Sequence, residues 1–145
     1  MVVVGIVTRP IDEALCEALR AAARAVVAAD AHCRVACVTV VPPAAALSGE
    51  GDEPTATVRH IKRLVELRKW ARPLDLPDER LTYHVLESEK PAAALIDYVT
   101  MNDAELMLIG APHPGGGARL RGGICAQIVA EAPCSVTVVR PKAGV

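Results

Sequence analysis

The sequence predicts an α/β protein with an open five-stranded parallel sheet and helices on both faces of the sheet. Short apolar segments alternate with longer helical patterns in the order β-α-β-α-β-α-β-α-β, which is typical of parallel sheets. The segments are mostly continuous in apolar residues, as expected for strands covered on both faces. Hydrophobic residues make up 52% of the 145 residues and aromatic residues 2%, so we expect one domain, 1–145, with an aliphatic core.

The predicted strands differ in how clearly the sequence marks them. VVVGIV and VACVTVV are almost uninterrupted apolar runs, whereas LTYHVL alternates between apolar and polar residues. The five predicted strands are Val2–Val7, Val35–Val41, Leu81–Leu86, Leu106–Ile109 and Ser135–Val139.

Four helices connect these strands. The first covers 11–29 after Pro10, and the second covers about 55–72; the third begins at Pro91, and the fourth ends before Pro133. The apolar spacing predicts that the second helix packs through Val58, Ile61, Leu64, Val65 and Leu67. Residues 44–54 are small and acidic, and we expect them to form a mobile loop.

The charge balance excludes several classes of partner. The net charge is −1, so no overall field attracts nucleic acid or an anionic membrane. The basic residues within RHIKRLVELRK fit a solvated helix face. The N-terminus lacks a signal-peptide pattern and no apolar run is long enough for a membrane helix, so we expect a cytoplasmic protein.

The five cysteines are predicted to be free thiols, and no metal site is expected. Cys33 and Cys37 lie on one predicted strand, about 13 Å apart, too far for one zinc ion. The carboxylates are dispersed and no catalytic motif is present, so we expect no enzymatic activity.

A glycine-rich loop follows the fourth strand and precedes the fourth helix. Six of the ten glycines fall between Gly110 and Gly123. Ligands of open α/β sheets bind beyond the carboxyl ends of the strands, and a helix N-terminus attracts anions. The loop therefore predicts an anion site, to which Arg119 and Arg121 either contribute or are merely exposed.

Two common phosphate-binding motifs are absent. Gly110 and Gly115 have the spacing of a Walker A loop, but Gly116 stands at the lysine position. The dinucleotide fingerprint needs three glycines after the first strand, where Gly5 stands alone.

The C-terminal third resembles the universal stress protein family. The stretch IGAPHPGGGARLRGGICAQIVAEAPCSVTVVRP has the form of the family's G-x2-G-x9-G-[ST] loop, followed by a helix, a proline and a last strand. The double-proline exit VTVVPP and the element order also fit. HIKRLVELRKWARPLDLPDERLTYHVLE is similar to stress-protein domains appended to bacterial Ser/Thr protein kinases. The resemblance implies the adenine-nucleotide hydrolase-like fold with strand order 3-2-1-4-5.

The resemblance also implies an adenine-nucleotide site, with ATP or another adenine nucleotide as the candidate ligand. By position, the implied binding residues are Val7 and Thr8 at the end of strand one, Val41 at the adenine, and Gly110, His113, Gly115, Gly122, Gly123 and Ile124 in and after the loop.

Several of these positions depart from the family pattern. The second glycine falls at His113, the Ser/Thr falls at Gly123, and the strand-one Asp falls at Val7 or Thr8. The spacing from Gly110 to Gly122 is one residue short of the pattern. We therefore predict a regulatory or interaction domain with a degenerate nucleotide loop, acting in stress response or kinase-linked signalling. The alternative is a functional ATP-binding member of the family, and the resemblance leaves weak ATP hydrolysis open.

The last strand, Ser135–Val139, is apolar and predicted to lie at an edge of the sheet. Exposed edges pair readily with other strands, and the family commonly dimerises through this strand. We therefore expect a homodimer, with a protein partner or a kinase domain as a further candidate.

Overall fold

Five parallel strands form one sheet in the computed structural model, which describes residues 1–6, 12–43, 56–111 and 123–141. The strand order is β3-β2-β1-β4-β5, which confirms the predicted α/β class and topology. The strands are β1 (Val2–Gly5), β2 (Val35–Val41), β3 (Leu81–Glu87), β4 (Leu106–Gly110) and β5 (Ser135–Val139). Residues 44–54, expected to form a mobile loop, lie outside the described residues.

The described helices follow the predicted pattern with small changes at their ends. They are α1 (Glu13–Ala29), α2 (Ala56–Ala71), α3 (Pro91–Met101) and α4 (Ile124–Glu131). Beyond α2, the chain continues in a 3-10 turn, Arg72–Leu74, because Pro73 cannot donate to an α-helical bond. None of the described helices is both long enough and apolar enough to cross a bilayer.

Two apolar layers hold the helices on opposite faces of the sheet. Alternate residues of a strand point to opposite faces, so Val4 and Leu108 contact one layer and Val3 and Met107 the other. The first layer receives α1 and α2, through residues that include Leu15, Leu19, Leu67, Trp70 and Ala71. The second receives α3 and α4, through Ala92, Leu95, Val99 and Ile128.

The predicted apolar side of α2 is partly wrong. Val58, Ile61 and Val65 are 40%, 52% and 43% exposed, whereas Leu67 is fully buried together with Trp70 and Ala71. The helix carries two apolar stripes on opposite sides, and periodicity alone does not say which one contacts the sheet. The stripe with the larger side chains packs inward, because burial of the indole and of Leu67 removes more apolar surface from water.

A small polar network joins α1 to the end of α2. The indole Nε1 of Trp70 donates to the carbonyl of Cys16 at 3.1 Å. Nε of Arg20 donates to the carbonyl of Trp70 at 2.8 Å, and the Arg20 guanidinium lies 5.6 Å from the indole ring centre. Glu17 pairs with the same guanidinium at 2.6 Å. A cation at the carboxyl end of α2 also complements the helix dipole.

All five cysteines lie within the described residues, and none of them forms a disulfide. Cys33 and Cys37 are buried, so each packs as a small apolar side chain of the core. Burial raises the pKa of the Cys37 thiol to about 12, because the thiolate would lose its hydration in the core. This thiol is therefore a packing group with little nucleophilic character at neutral pH.

We expect Arg20→Ala to lower the free energy of unfolding by about 1–3 kcal/mol, because it removes a charged hydrogen bond from a largely buried site. The Arg20 side chain is only 13% exposed. Arg24→Ala is the matched control, since its exposed 3.4 Å contact with the carbonyl of Pro73 contributes about 0.5 kcal/mol or less. Urea unfolding followed by circular dichroism measures both values, and equal midpoints for the two variants would contradict the assigned network.

Candidate functional site

The winding of the sheet reverses between β1 and β4. β1 pairs with β2 on one side and with β4 on the other, and Gly5 lies level with Val38 and Ile109. The chain therefore adds β2 and β3 on one side of β1, and β4 and β5 on its other side. The carboxyl ends of β1 and β4 are adjacent, as the predicted site requires, and this is the usual ligand position in open α/β sheets.

Gly110 ends β4 under the first turns of α1. A Cβ atom at this position would lie 2.8 Å from Cδ1 of Leu15 and 2.9 Å from its Cγ and Cδ2. Such distances are shorter than any normal carbon–carbon contact. The space beside Gly110 is therefore filled by a core leucine, so the absence of a side chain at 110 is explained by helix packing.

The two helices near this end of the sheet differ at their N-termini. In α1, Oδ1 of Asp12 accepts the backbone N–H of Leu15 at 3.1 Å, and Glu13 adds a second carboxylate in the first turn. In α4, the N-cap is Gly123, which provides no side-chain cap. The positive end of α1 is thus neutralised by the protein's own carboxylates, whereas the N-cap residue of α4 has no side chain that could do so.

The first turn of α4 is joined to the end of β4 by Cys125. Its Sγ donates to the carbonyl of Gly110 at 3.4 Å. Burial raises the pKa of this thiol, and the nearby Arg140 partly opposes the change. The contact fixes the start of α4 beside the exit of β4, the two ends of the glycine-rich segment.

Four of the nine predicted binding residues lie in the described part of the chain: Val41, Gly110, Gly123 and Ile124. The other five, Val7, Thr8, His113, Gly115 and Gly122, lie outside it. Gly110 and Gly123 lie at the same end of the sheet, because Cys125, two residues after Gly123, contacts the carbonyl of Gly110. The Val41 carbonyl accepts the N–H of Ser88 at 2.9 Å, so one of its acceptor positions is already used.

Sequence reasoning missed two parts of this arrangement. The contact of Leu15 with Gly110 is not predicted, because nothing in the sequence gives the distance between α1 and β4. The side through which α4 packs is not predicted either: Ile124 is 47% exposed, and Ile128 is the buried residue of this helix. The capping role of Asp12, three residues before Leu15, could have been found from helix-start chemistry.

An open pocket of about 430 Å³ lies between α4 and the end of β5. Its lining is mainly apolar, with one guanidinium: Ala111, Cys125, Ala126, Val129, Ala130, Val138 and Arg140. Within the described ranges, no three His, Cys, Asp or Glu side chains group closely enough to hold a metal ion.

A model of the universal stress protein family matches residues 2–140 of the chain. A universal stress protein crystallised with cAMP is similar in structure, with 19% identity, a TM-score of 0.64, and 95% of this chain and 94% of that chain covered. A family protein from Arabidopsis thaliana with AMP bound has 11% identity and a TM-score of 0.64, over 98% of this chain and 92% of that one.

The universal stress protein UspA of Lactobacillus plantarum is also similar, with 18% identity, a TM-score of 0.62 and 96% of each chain covered. These likenesses, all below 25% identity, establish the shared fold. None of the curated proteins matches the chain.

We expect Gly110→Ala to lower the free energy of unfolding by about 1–3 kcal/mol, because the new methyl group overlaps the side chain of Leu15. Gly5→Ala is the matched control in the neighbouring strand. Its Cβ would meet Ile109 at 3.4 Å and Leu95 at 3.5 Å, which are ordinary contacts, so a change below about 1 kcal/mol is expected.

The double variant Gly110→Ala with Leu15→Ala separates packing from other effects. If the overlap is the cause, the cost of Gly110→Ala falls when Leu15 is already shortened, and a double-mutant cycle measures this coupling. Additive costs in the cycle would contradict the assigned contact.

Proposed function

Because the chain belongs to the universal stress protein family, we propose that it is a regulatory and interaction module that works as a homodimer through β5. In this proposal the adenine-nucleotide loop is degenerate and the domain acts without catalysis, in a cytoplasmic stress response or in kinase-linked signalling. The observation that carries the proposal is the apolar surface of α4 beside the open edge of β5.

The outer edge of the sheet combines two features that favour association. Within the described sheet, β5 pairs only with β4, so one side of its backbone has no strand beside it. Ile124 and Val129 of α4 are 47% and 56% exposed, and Val129 lines the pocket next to Val138. An unpaired edge with adjacent apolar side chains suits a second copy of the strand, because pairing satisfies the backbone and covers the apolar surface.

The departures in the loop favour a weakened nucleotide site. Gly123 provides no hydroxyl at the start of α4, and the family's acidic position after strand one falls at Val7 or Thr8. Loss of a neutral and a charged hydrogen bond costs about 2–4.5 kcal/mol together, or roughly thirtyfold to two-thousandfold in affinity. Asp12 and Glu13 place carboxylates at the start of α1, near the carboxyl ends of the strands. Their negative charge disfavours the binding of a polyphosphate.

The second candidate function is adenine-nucleotide binding by an intact site. It is supported by the N-terminus of α4, where the N-cap Gly123 provides no capping side chain and ends a run of six clustered glycines. The structural neighbours described with AMP and cAMP point in the same direction. The two candidates differ in one measurable quantity, the affinity for nucleotide.

We expect light scattering to give about twice the chain mass of 15.2 kDa for the wild-type protein at micromolar concentration. Thr137→Asp, at an exposed position of β5, should reduce the mass to that of one chain, because like charges would face each other across paired strands. Met101→Asp is the control, since this residue is 83% exposed at the end of α3. A wild-type monomer, or an unchanged Thr137→Asp dimer, would reject the edge model.

We expect calorimetric titration with ATP and Mg²⁺ to give negligible heat, with a Kd weaker than about 1 mM. The variant His113→Gly with Gly123→Ser restores the family's glycine and hydroxyl, and should bind ATP up to about tenfold more tightly than wild type. Micromolar binding by the wild-type protein would select the second candidate. Because the mass measurement does not depend on nucleotide, the two parts of the proposal fail separately.

A further inference from the structure

The outward side of α2 carries an apolar stripe that is partly exposed. We call Val58, Ile61 and Val65 the outer stripe; they are 40%, 52% and 43% exposed. Their i, i+3, i+7 spacing places them on one face of the helix, over about 10 Å of its length. Leu67, Trp70 and Ala71, on the other side of the helix, pack on the sheet.

Among the described residues of α2, the exposed charged side chains that border the outer stripe are basic. Lys62, Arg68 and Lys69 are exposed, and Arg72 follows directly after the helix. Glu66 is the one acidic residue in the sequence of α2, and its carboxylate pairs with Arg63 at 3.1 Å. Arg68 lies over the ring of Tyr83 at 5.8 Å, so part of this basic border is held in place.

We propose that the outer stripe docks an amphipathic helix of a partner protein, with apolar residues at i, i+3 and i+7 flanked by Asp or Glu. An apolar helix face would cover Val58, Ile61 and Val65, and acidic side chains at its borders would reach Lys62, Arg68 and Lys69. Such anchor spacing is the usual form of helix recognition. Complementary charge would direct the approach and fix the orientation of the partner.

The form of the stripe favours a protein over a lipid surface or a nucleic acid. Helices that lie in a membrane interface present a wide face with Trp, Phe or Leu. Here the three side chains are β-branched and the opposite side of the helix is committed to the core. A nucleic-acid surface would place aromatic or basic groups at its centre, where this face has Val and Ile.

The docking surface is separate from the proposed dimer interface. α2 packs over β2 and β3, and β3 lies at the opposite edge of the sheet from β5. Docking on α2 therefore requires neither the homodimer nor a nucleotide, and each proposal can fail without the other.

The test uses the full chain and a fluorescein-labelled synthetic peptide helix with Leu at i, i+3 and i+7 and Glu on both borders. The control peptide has the same composition, but its Leu residues are spread around the helix. We expect fluorescence anisotropy to give a Kd of about 10–100 μM for the first peptide, in the range of small transient interfaces. The control peptide should bind at least about tenfold more weakly. Equal binding of the two peptides, or no binding of either, would overturn the proposal.

Variants on the protein locate the binding surface. Ile61→Ser with Val65→Ser should weaken peptide binding at least about tenfold, because apolar contact at two anchors is lost. Met101→Ser removes an even more exposed apolar residue from α3, and should leave the affinity unchanged. An equal loss in both variants would show that the peptide binds apolar surface without selection, and would overturn the proposal.

Charge exchange tests the complementarity. The double variant Lys62→Glu with Lys69→Glu should no longer bind the Glu-bordered peptide. It should instead bind a peptide in which Lys replaces each Glu. Vesicles of phosphatidylcholine and phosphatidylserine, and a single-stranded DNA oligonucleotide, are the competing ligands. Binding of either one by the wild-type protein with no binding of the peptide would overturn the proposal in favour of that class.

Discussion

The close approach of Leu15 to Gly110 is the constraint on which the candidate site depends. α1 lies over the exit of β4 because residue 110 has no side chain, and the three nearest atoms of Leu15 occupy the position that a Cβ would take. The contact sets the distance between α1 and the sheet at the point where the winding reverses. Gly110 is therefore needed for the packing of α1 on β4, although it also belongs to the family's loop motif. The presence of this glycine does not by itself indicate that a ligand binds.

The sequence was sufficient for the class, the order of elements and most of their ends. Apolar runs such as Val2–Val4 and Val35–Val38 are buried on both faces, so composition and position both indicate a central strand. β3 was found from a weaker, alternating pattern, and it lies at an edge of the sheet. Edge and interior strands differ in their hydrophobic sequence patterns, because only interior strands are covered by helices along their whole length.

Neither the orientation of α2 nor the contacts of the candidate site can be predicted from the sequence. Two apolar stripes on one helix satisfy the same period, and the choice between them depends on Trp70 and Leu67 fitting between α1 and the sheet. Near the loop, the sequence located Gly110 and Gly123 but gave no distance to Leu15 or Cys125. Such distances follow from how elements remote in sequence pack, which local patterns do not encode.

The position of α2 at the far side of the sheet from β5 has a consequence for valency. Two chains joined through β5 would present two outer stripes at the two ends of the assembly. A partner that carries two acidic helices on a linker of matching length would then bind the second site at high effective concentration. Dissociation at the β5 edge would weaken such a complex without changing any atom of α2, so the oligomeric state would set the avidity of the complex.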